Sequence, residues 1–202
     1  MLFFVLLVTL VIFVTAFIAF LVNLRRMNSE TFNKLCTSKV IRIAKRRGLL
    51  LIPEAHLSNF EREMLPVNHV LFGEKYIYLI SDFLLKGFVS GEEKDNSWIY
   101  FNNITKTTHY LDNLNAISDK NIRDFSGILQ ISPELIVSIC VVPNECDFKI
   151  KGDKSDKKNI VHYSSLRRMI RRLENKKIDA LDKQQIIDQF NLIKAKNDER
   201  NK

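Results

Sequence analysis

The stretch VNHVLFGEKYIYLISDFLLKGFVSG, residues 67–91, decides the fold that the sequence predicts. Two apolar runs, 67–72 and 76–85, flank a turn at 73–75, and a short third run follows. Because β-branched and aromatic residues favour strands and glycine favours reversals, the stretch predicts an antiparallel meander. Both faces of the middle run are mostly apolar until Ser81 and Asp82 interrupt it, so we expect a central strand that is covered on both sides.

Residues 1–24 contain no charged side chain, and Arg25 and Arg26 follow them directly. At 1.5 Å per residue such a run is long enough for a bilayer core of roughly 30 Å. It lacks the basic start and the small-residue cleavage site of a signal peptide. Arginines directly after an apolar run are typical of the cytoplasmic side. The pattern therefore predicts a single-pass anchor in the cell membrane, with the amino terminus outside and the domain in the cytoplasm.

The remainder of the chain predicts a mixed α/β (α+β) domain. The predicted helices cover 29–47 and 111–129, with Asn28 or Ser29 as N-cap and Gly48 as the stop, and two more close the chain after Ser164 or Ser165 and from Asp182. The predicted strands are 49–52, 67–73, 75–84, 97–101 and 134–142, and 146–150 could pair with the last of them. This divides the chain into an anchor (1–24), a juxtamembrane helix start (25–37), a domain (38–150) and a helical extension (151–202).

The charge of the chain indicates its possible partners. The formal net charge is +8, which makes a nucleic acid or an anionic membrane surface a plausible partner. The predicted contacts to phosphates are four arginines of one helix, namely Arg167, Arg168, Arg171 and Arg172. The same arginines could equally form a solvated helix face or lie against a membrane leaflet. The three cysteines and four histidines show no disulfide or zinc spacing, and the chain has no P-loop, dinucleotide-binding or Ser-His-Asp pattern.

The order helix, three strands, helix, strand resembles the core of the restriction-endonuclease-like, PD-(D/E)xK nucleases. The amino-acid sequence of residues 67–91 resembles the nuclease-related domain (NERD) family, above all at residues 73–78 and at the pair Gly87 and Gly91. The later Trp98 also resembles a tryptophan of that family. The resemblance covers roughly residues 38 to 150. It implies an αβββαβ core, here placed after the transmembrane helix and before two carboxyl-terminal helices.

The departures from the family pattern fall on its catalytic positions. The family's metal-binding aspartate falls on Asn68, its glutamate on Ser81 and its lysine on Phe83, while Ser38-Lys39 stands where the family has an early helical acid. Holding a divalent ion requires carboxylates, and the lysine orients the attacking water. The resemblance thus implies a pseudo-enzyme that binds nucleic acid or an anionic surface, without a metal cofactor and without nuclease activity.

Two alternatives stay open. An active metal-dependent endonuclease would use Mg²⁺ or Mn²⁺ held by a relocated Asp82, with Lys86 nearby and contributions from His69 or Glu74, if a bulge turns Asp82 onto the catalytic face. In a regular strand Asp82 points away from Asn68. The other alternative is a membrane adaptor whose domain docks a partner protein.

Overall fold

The computed structural model describes residues 9–15, 17, 27–55, 57, 64–152 and 159–200. These residues form a mixed α/β structure in which two sheets are joined by helices. Its long helices are α1 (Ser29–Arg47), α2 (Leu114–Leu129), α3 (Leu166–Glu174) and α4 (Lys183–Arg200). Its strands are β1 (Leu50–Ile52), β2 (His69–Phe72), β3 (Ile77–Asp82), β4 (Gly87–Glu92), β5 (Ser97–Asn102), β6 (Thr108–Asp112), β7 (Ile136–Val142), β8 (Asp147–Lys151) and β9 (Ile160–His162).

The first sheet has the strand order β1-β2-β3-β7-β9. β2 and β3 are antiparallel, with Phe72 opposite Ile77, and β3 and β7 are parallel, with Ile77 opposite Ile136. The predicted pairing of 67–73 with 75–84, and the presence of 134–142 in the same sheet, are confirmed. The reason is local: the turn at Gly73 reverses the chain, and both flanking runs are too apolar for an edge position.

Both faces of β3 are covered, as the sequence predicts. Tyr78 and Ile80 pack in one apolar layer with α1 and α3, whereas Ile77 and Leu79 pack in another layer with α2 and α4. Helices α3 and α4, which lie in the predicted extension 151–202, thus cover the same sheet as the preceding helices.

The ends of α1 follow from its sequence. The side chain of Asn28 accepts a hydrogen bond from the backbone N–H of Thr31 at 2.8 Å, which caps the helix start. Gly48 ends the helix in the left-handed region, with φ of 65°. Both predicted caps are confirmed.

A second sheet, of order β6-β5-β4-β8, was not predicted. The prediction that the run after Gly87 continues the meander is wrong, because β4 leaves the first sheet and pairs with β5 and β8. The suggested pairing of 146–150 with 134–142 is also wrong, since β8 lies parallel to β4. The buried side chains of Val89 and Trp98 explain the departure: they pack into a third apolar cluster, between this sheet and α2.

The predicted transmembrane helix at 1–24 requires a correction. Among the described residues, no helix combines the length and the apolar character that crossing a membrane requires. Of the predicted run, residues 9–15 and 17 are described, and they are helical and exposed. The rest of the run lies outside the described residues. The fold class is therefore a mixed α/β structure with two sheets, and the membrane helix is withdrawn from it.

Candidate functional site

A pocket of about 430 Å³ lies where β3 ends. Asn33 of α1, Glu54, the segment 64–68 and the last residue of β3, Asp82, form its walls together with Phe83. Two of the three positions that the family resemblance marks as catalytic, Asn68 and Phe83, therefore line this pocket. Their environment decides what chemistry the pocket can perform.

Asp82 is the carboxyl group at the centre of this arrangement. Its Oδ1 accepts a hydrogen bond from Asn33 Nδ2 at 3.1 Å, and its backbone N–H donates to Asn68 Oδ1 at 3.0 Å. Burial raises the pKa of the Asp82 carboxyl above its usual range, and the hydrogen bond from Asn33 opposes this rise. The carboxyl group is thus more easily protonated than a surface aspartate.

Asn68 and Asp82 line one pocket, although a regular strand would separate them. Asp82 is the last residue of β3, where it lies opposite Val141 of β7, and Asn68 directly precedes the first residue of β2, so both residues lie at strand ends. The neighbouring Ser81 is buried and donates its hydroxyl to the carbonyl oxygen of Pro66. The structure therefore brings Asn68, Asp82 and Phe83 together and engages Ser81 with the backbone.

The other sequence candidates lie elsewhere. Lys86 Nζ donates to the carbonyl oxygen of Met27 at 2.6 Å. His69 is fully buried in β2, where burial lowers the pKa of its imidazole to about 4. Glu74 is in the β2–β3 turn, and its backbone N–H donates to Glu174 at 3.0 Å. None of these three residues lines the pocket that contains Asp82.

Within the part of the chain that the structure describes, no group of three or more histidine, cysteine, aspartate or glutamate side chains could hold a metal ion. Of the described residues on the pocket wall, two carry carboxyl groups, namely Glu54, which is exposed, and Asp82. These carboxyl groups and the amide oxygens of Asn33 and Asn68 are oxygen donors of the kind that bind Mg²⁺ or Ca²⁺.

Asn33 and Glu54 were not found from the sequence. Asn33 is half-buried on the inward side of α1, three residues before Cys36 and seven before Val40, both of which are buried. The sequence signal for Asn33 is its helical spacing with apolar residues, which places a polar side chain on the inward side of the helix. Glu54 follows β1 and Pro53 in a segment that reads as an ordinary polar loop, so no pattern distinguished it.

The four arginines of α3, Arg167, Arg168, Arg171 and Arg172, are all exposed. In the described part of the chain none of them forms an ion pair with an acidic side chain. They lie on the same side of the first sheet as α1, because both helices pack in one apolar layer. That these arginines contact phosphates or an anionic surface stays a prediction.

No family model, curated protein or solved structure matches the chain. The resemblance to the NERD family consequently rests on the residues quoted from the sequence.

Proposed function

We propose that this protein is a non-catalytic relative of the NERD nucleases that binds a nucleic acid or another polyanion without hydrolysing it. The observation that carries the proposal is the composition of the pocket at the end of β3. Among the described residues of its wall, the partly buried carboxyl group of Asp82 lies beside the amide side chains of Asn33 and Asn68 and beside Phe83. Apart from β4, β5 and β6 of the second sheet, which come between β3 and α2, the order α1, β1, β2, β3, α2, β7 is the one that the resemblance implies, and it supports the kinship.

The three family-equivalent positions lack the groups that hydrolysis requires. Asn68 is neutral, and its amide oxygen already accepts the Asp82 N–H. Ser81 is buried and bonded to a carbonyl oxygen, and Phe83 has no polar side-chain atom. A divalent ion needs negatively charged oxygen ligands, and an attacking water needs a base or a lysine to orient it. These positions supply neither.

The charge of the molecule supports binding. The net charge of +8 includes four exposed arginines on two turns of α3. Arginine offers a planar array of N–H donors that matches phosphate oxygens, and neutralising phosphates releases counterions. Such a surface favours association with polyanions without any reactive group.

One observation favours a second candidate function, metal-dependent hydrolysis. The carboxyl groups of Glu54 and Asp82 line the same pocket, and amide oxygens lie on the same wall. Mg²⁺ binds through one or two carboxylates together with water. This candidate is less well supported, because no group of three or more histidine, cysteine, aspartate or glutamate side chains among the described residues could hold a metal ion.

The test compares the full wild-type chain with Asp82→Asn on labelled DNA and RNA, with and without Mg²⁺ or Mn²⁺. We expect no cleavage by either protein, and binding that weakens as the salt concentration rises in both. Metal-dependent cleavage by the wild type that disappears in Asp82→Asn would establish the second candidate. Absence of binding at low salt would refute the proposed module.

A further inference from the structure

We propose that α1 and α3 form one basic surface that binds the phosphodiester backbone of a nucleic acid. This surface, called here the two-helix surface, consists of five side chains, namely Lys39, Arg42, Arg46, Arg167 and Arg171. The inference rests on the proposed function and deepens it, because it names the partner class and places the contact on the helices instead of in the pocket.

Contacts at both ends show that the two helices lie side by side. Lys39 Nζ of α1 donates to the carbonyl oxygen of Tyr163 and lies 3.9 Å from the centre of its ring, directly before α3 begins. At the other end, α1 leads into β1, whose first residue Leu50 lies opposite Phe72, directly before the β2–β3 turn. Glu174, the last residue of α3, accepts the backbone N–H of Glu74 in that same turn. The second half of α1 and the whole of α3 therefore run in the same direction over the sheet.

The basic side chains of α1 lie on the side toward α3. Lys39, Arg42 and Arg46 are three and four residues apart, so they form one stripe of the helix. Lys39 connects this stripe to the start of α3, since its Nζ donates to the Tyr163 carbonyl oxygen and lies over the Tyr163 ring. The stripe thus faces the start of α3.

The basic side chains of α3 lie on the side toward α1. Arg167 and Arg171 are four residues apart, and Glu174 follows three residues later on the same stripe. Glu174 contacts the β2–β3 turn, where its Oε2 accepts the Glu74 N–H at 3.0 Å. α1 packs over β1, β2 and β3. The side of α3 that lies toward the β2–β3 turn is therefore the side toward α1.

The arginines of the two-helix surface are not neutralised from within the described chain. None of Arg42, Arg46, Arg167 and Arg171 forms an ion pair with a described acidic side chain, and all four are exposed. The acid of the first turn of α1, Glu30, pairs with Lys34 at 2.6 Å. A concentration of like charges on one face raises the local concentration of anions and is relieved by a polyanionic partner.

The composition of the face favours a nucleic acid over a lipid surface. Its charges recur about once per helical turn, near 5.4 Å, along two neighbouring lines, which fits a linear polyanion. A helix that lies on a membrane also presents large apolar side chains. Among the described large hydrophobic side chains that are exposed, α1 contributes Leu35 and α3 contributes none.

The experiment measures binding of a fluorescein-labelled DNA duplex of about 20 base pairs by anisotropy, between about 50 and 200 mM salt. It uses the full chain and two charge-removing variants, Arg42→Gln/Arg46→Gln in α1 and Arg167→Gln/Arg171→Gln in α3. Lys194→Gln/Lys196→Gln in α4 removes the same number of charges from the opposite side of the sheet and serves as the control. Circular dichroism verifies that each variant folds.

We expect each variant of the two-helix surface to bind DNA about tenfold more weakly at low salt. The plot of log K against log salt, whose slope is negative, should become less steep by about 2. The control should change neither quantity. If the wild type binds DNA and all three variants behave alike, the inference is wrong while the proposed function stands. If the wild type binds phosphatidylglycerol vesicles and not DNA, the surface recognises lipid and the inference is likewise wrong. If it binds neither, the proposed function itself fails.

Discussion

The hydroxyl of Tyr78, in the middle of β3, donates a hydrogen bond to the carboxylate of Glu174 at the end of α3. Both side chains are buried, with Tyr78 0% and Glu174 7% exposed. The second carboxylate oxygen accepts the N–H of Glu74 in the β2–β3 turn. One buried side chain thus ties the arginine-rich helix to the central strand and to the turn beside it, which fixes the position of the two-helix surface.

Tyr78→Phe should destabilise the protein. The substitution removes a hydroxyl and leaves one oxygen of a buried carboxylate without its partner, which costs about 1–3 kcal/mol. Urea unfolding measures the change. Tyr110→Phe is the matched control, because Tyr110 is 85% exposed, and it should change the unfolding free energy by less than about 0.5 kcal/mol. Equal stabilities of the two variants would show that the Tyr78–Glu174 bond contributes nothing.

The stability of the protein should depend on pH through His69. Burial lowers the pKa of His69 from 6.5 to about 4, so between these values the unfolded chain binds a proton that the folded chain does not. The contribution of His69 to the unfolding free energy is complete above pH 6.5 and is lost as the pH falls toward 4. Between pH 7 and pH 5 the loss amounts to about 2 kcal/mol. Unfolding free energies of the wild type and His69→Gln at both pH values test this. A pH dependence that persists unchanged in His69→Gln would assign it to other groups.

Asn33→Ala should raise the pKa of Asp82 further. The Asn33 amide donates to Asp82 Oδ1 and favours the ionised form, so its removal leaves the effect of burial less opposed. A carbon-13 NMR titration of the Asp82 carboxyl carbon measures the shift. Ser38→Ala is the control, since Ser38 is exposed on the same helix. A pKa that falls or stays constant in Asn33→Ala would contradict the description of the pocket.

Gly91→Ala should destabilise the second sheet. A Cβ at Gly91 would lie 2.4 Å from Cδ1 of Trp98, which is fully buried and whose Nε1 donates to the Glu92 carbonyl at 2.9 Å. Because the indole cannot shift freely, we expect a loss of about 1–3 kcal/mol in urea unfolding. Ser97→Ala, at an exposed neighbouring position, should stay within about 0.5 kcal/mol. A neutral Gly91→Ala would mean that the indole relaxes without cost.

The local signals of the sequence predicted the first sheet well and the second poorly. The turn at Gly73 and two β-branched runs determine the β2–β3 pairing, and neighbours in sequence become neighbours in the sheet. β8 pairs with β4 across more than fifty residues, and no local pattern encodes such a parallel partner. β6 was missed because most of its side chains are exposed, so it lacks the alternation of a half-buried strand.

The candidate site was predicted in part for the same reason. Asn68, Asp82 and Phe83 belong to the stretch that sets the fold, and the structure brings them to one pocket. Asn33 is 49 residues away from Asp82 in sequence, and its contact arises only when α1 packs on the sheet. The partnership of α1 with the arginines of α3 is likewise a tertiary contact, through Lys39 and Tyr163.

The most direct test of the central claim, binding without hydrolysis, follows one sample in two ways. Labelled DNA is incubated with the full wild-type chain in Mg²⁺ or Mn²⁺, and anisotropy and fragment length are both recorded, with Asp82→Asn in parallel. The account predicts intact DNA throughout, and binding by both proteins that weakens with salt. Fragments that form only with the divalent ion and only with the wild type would contradict it and make Asp82 a catalytic residue.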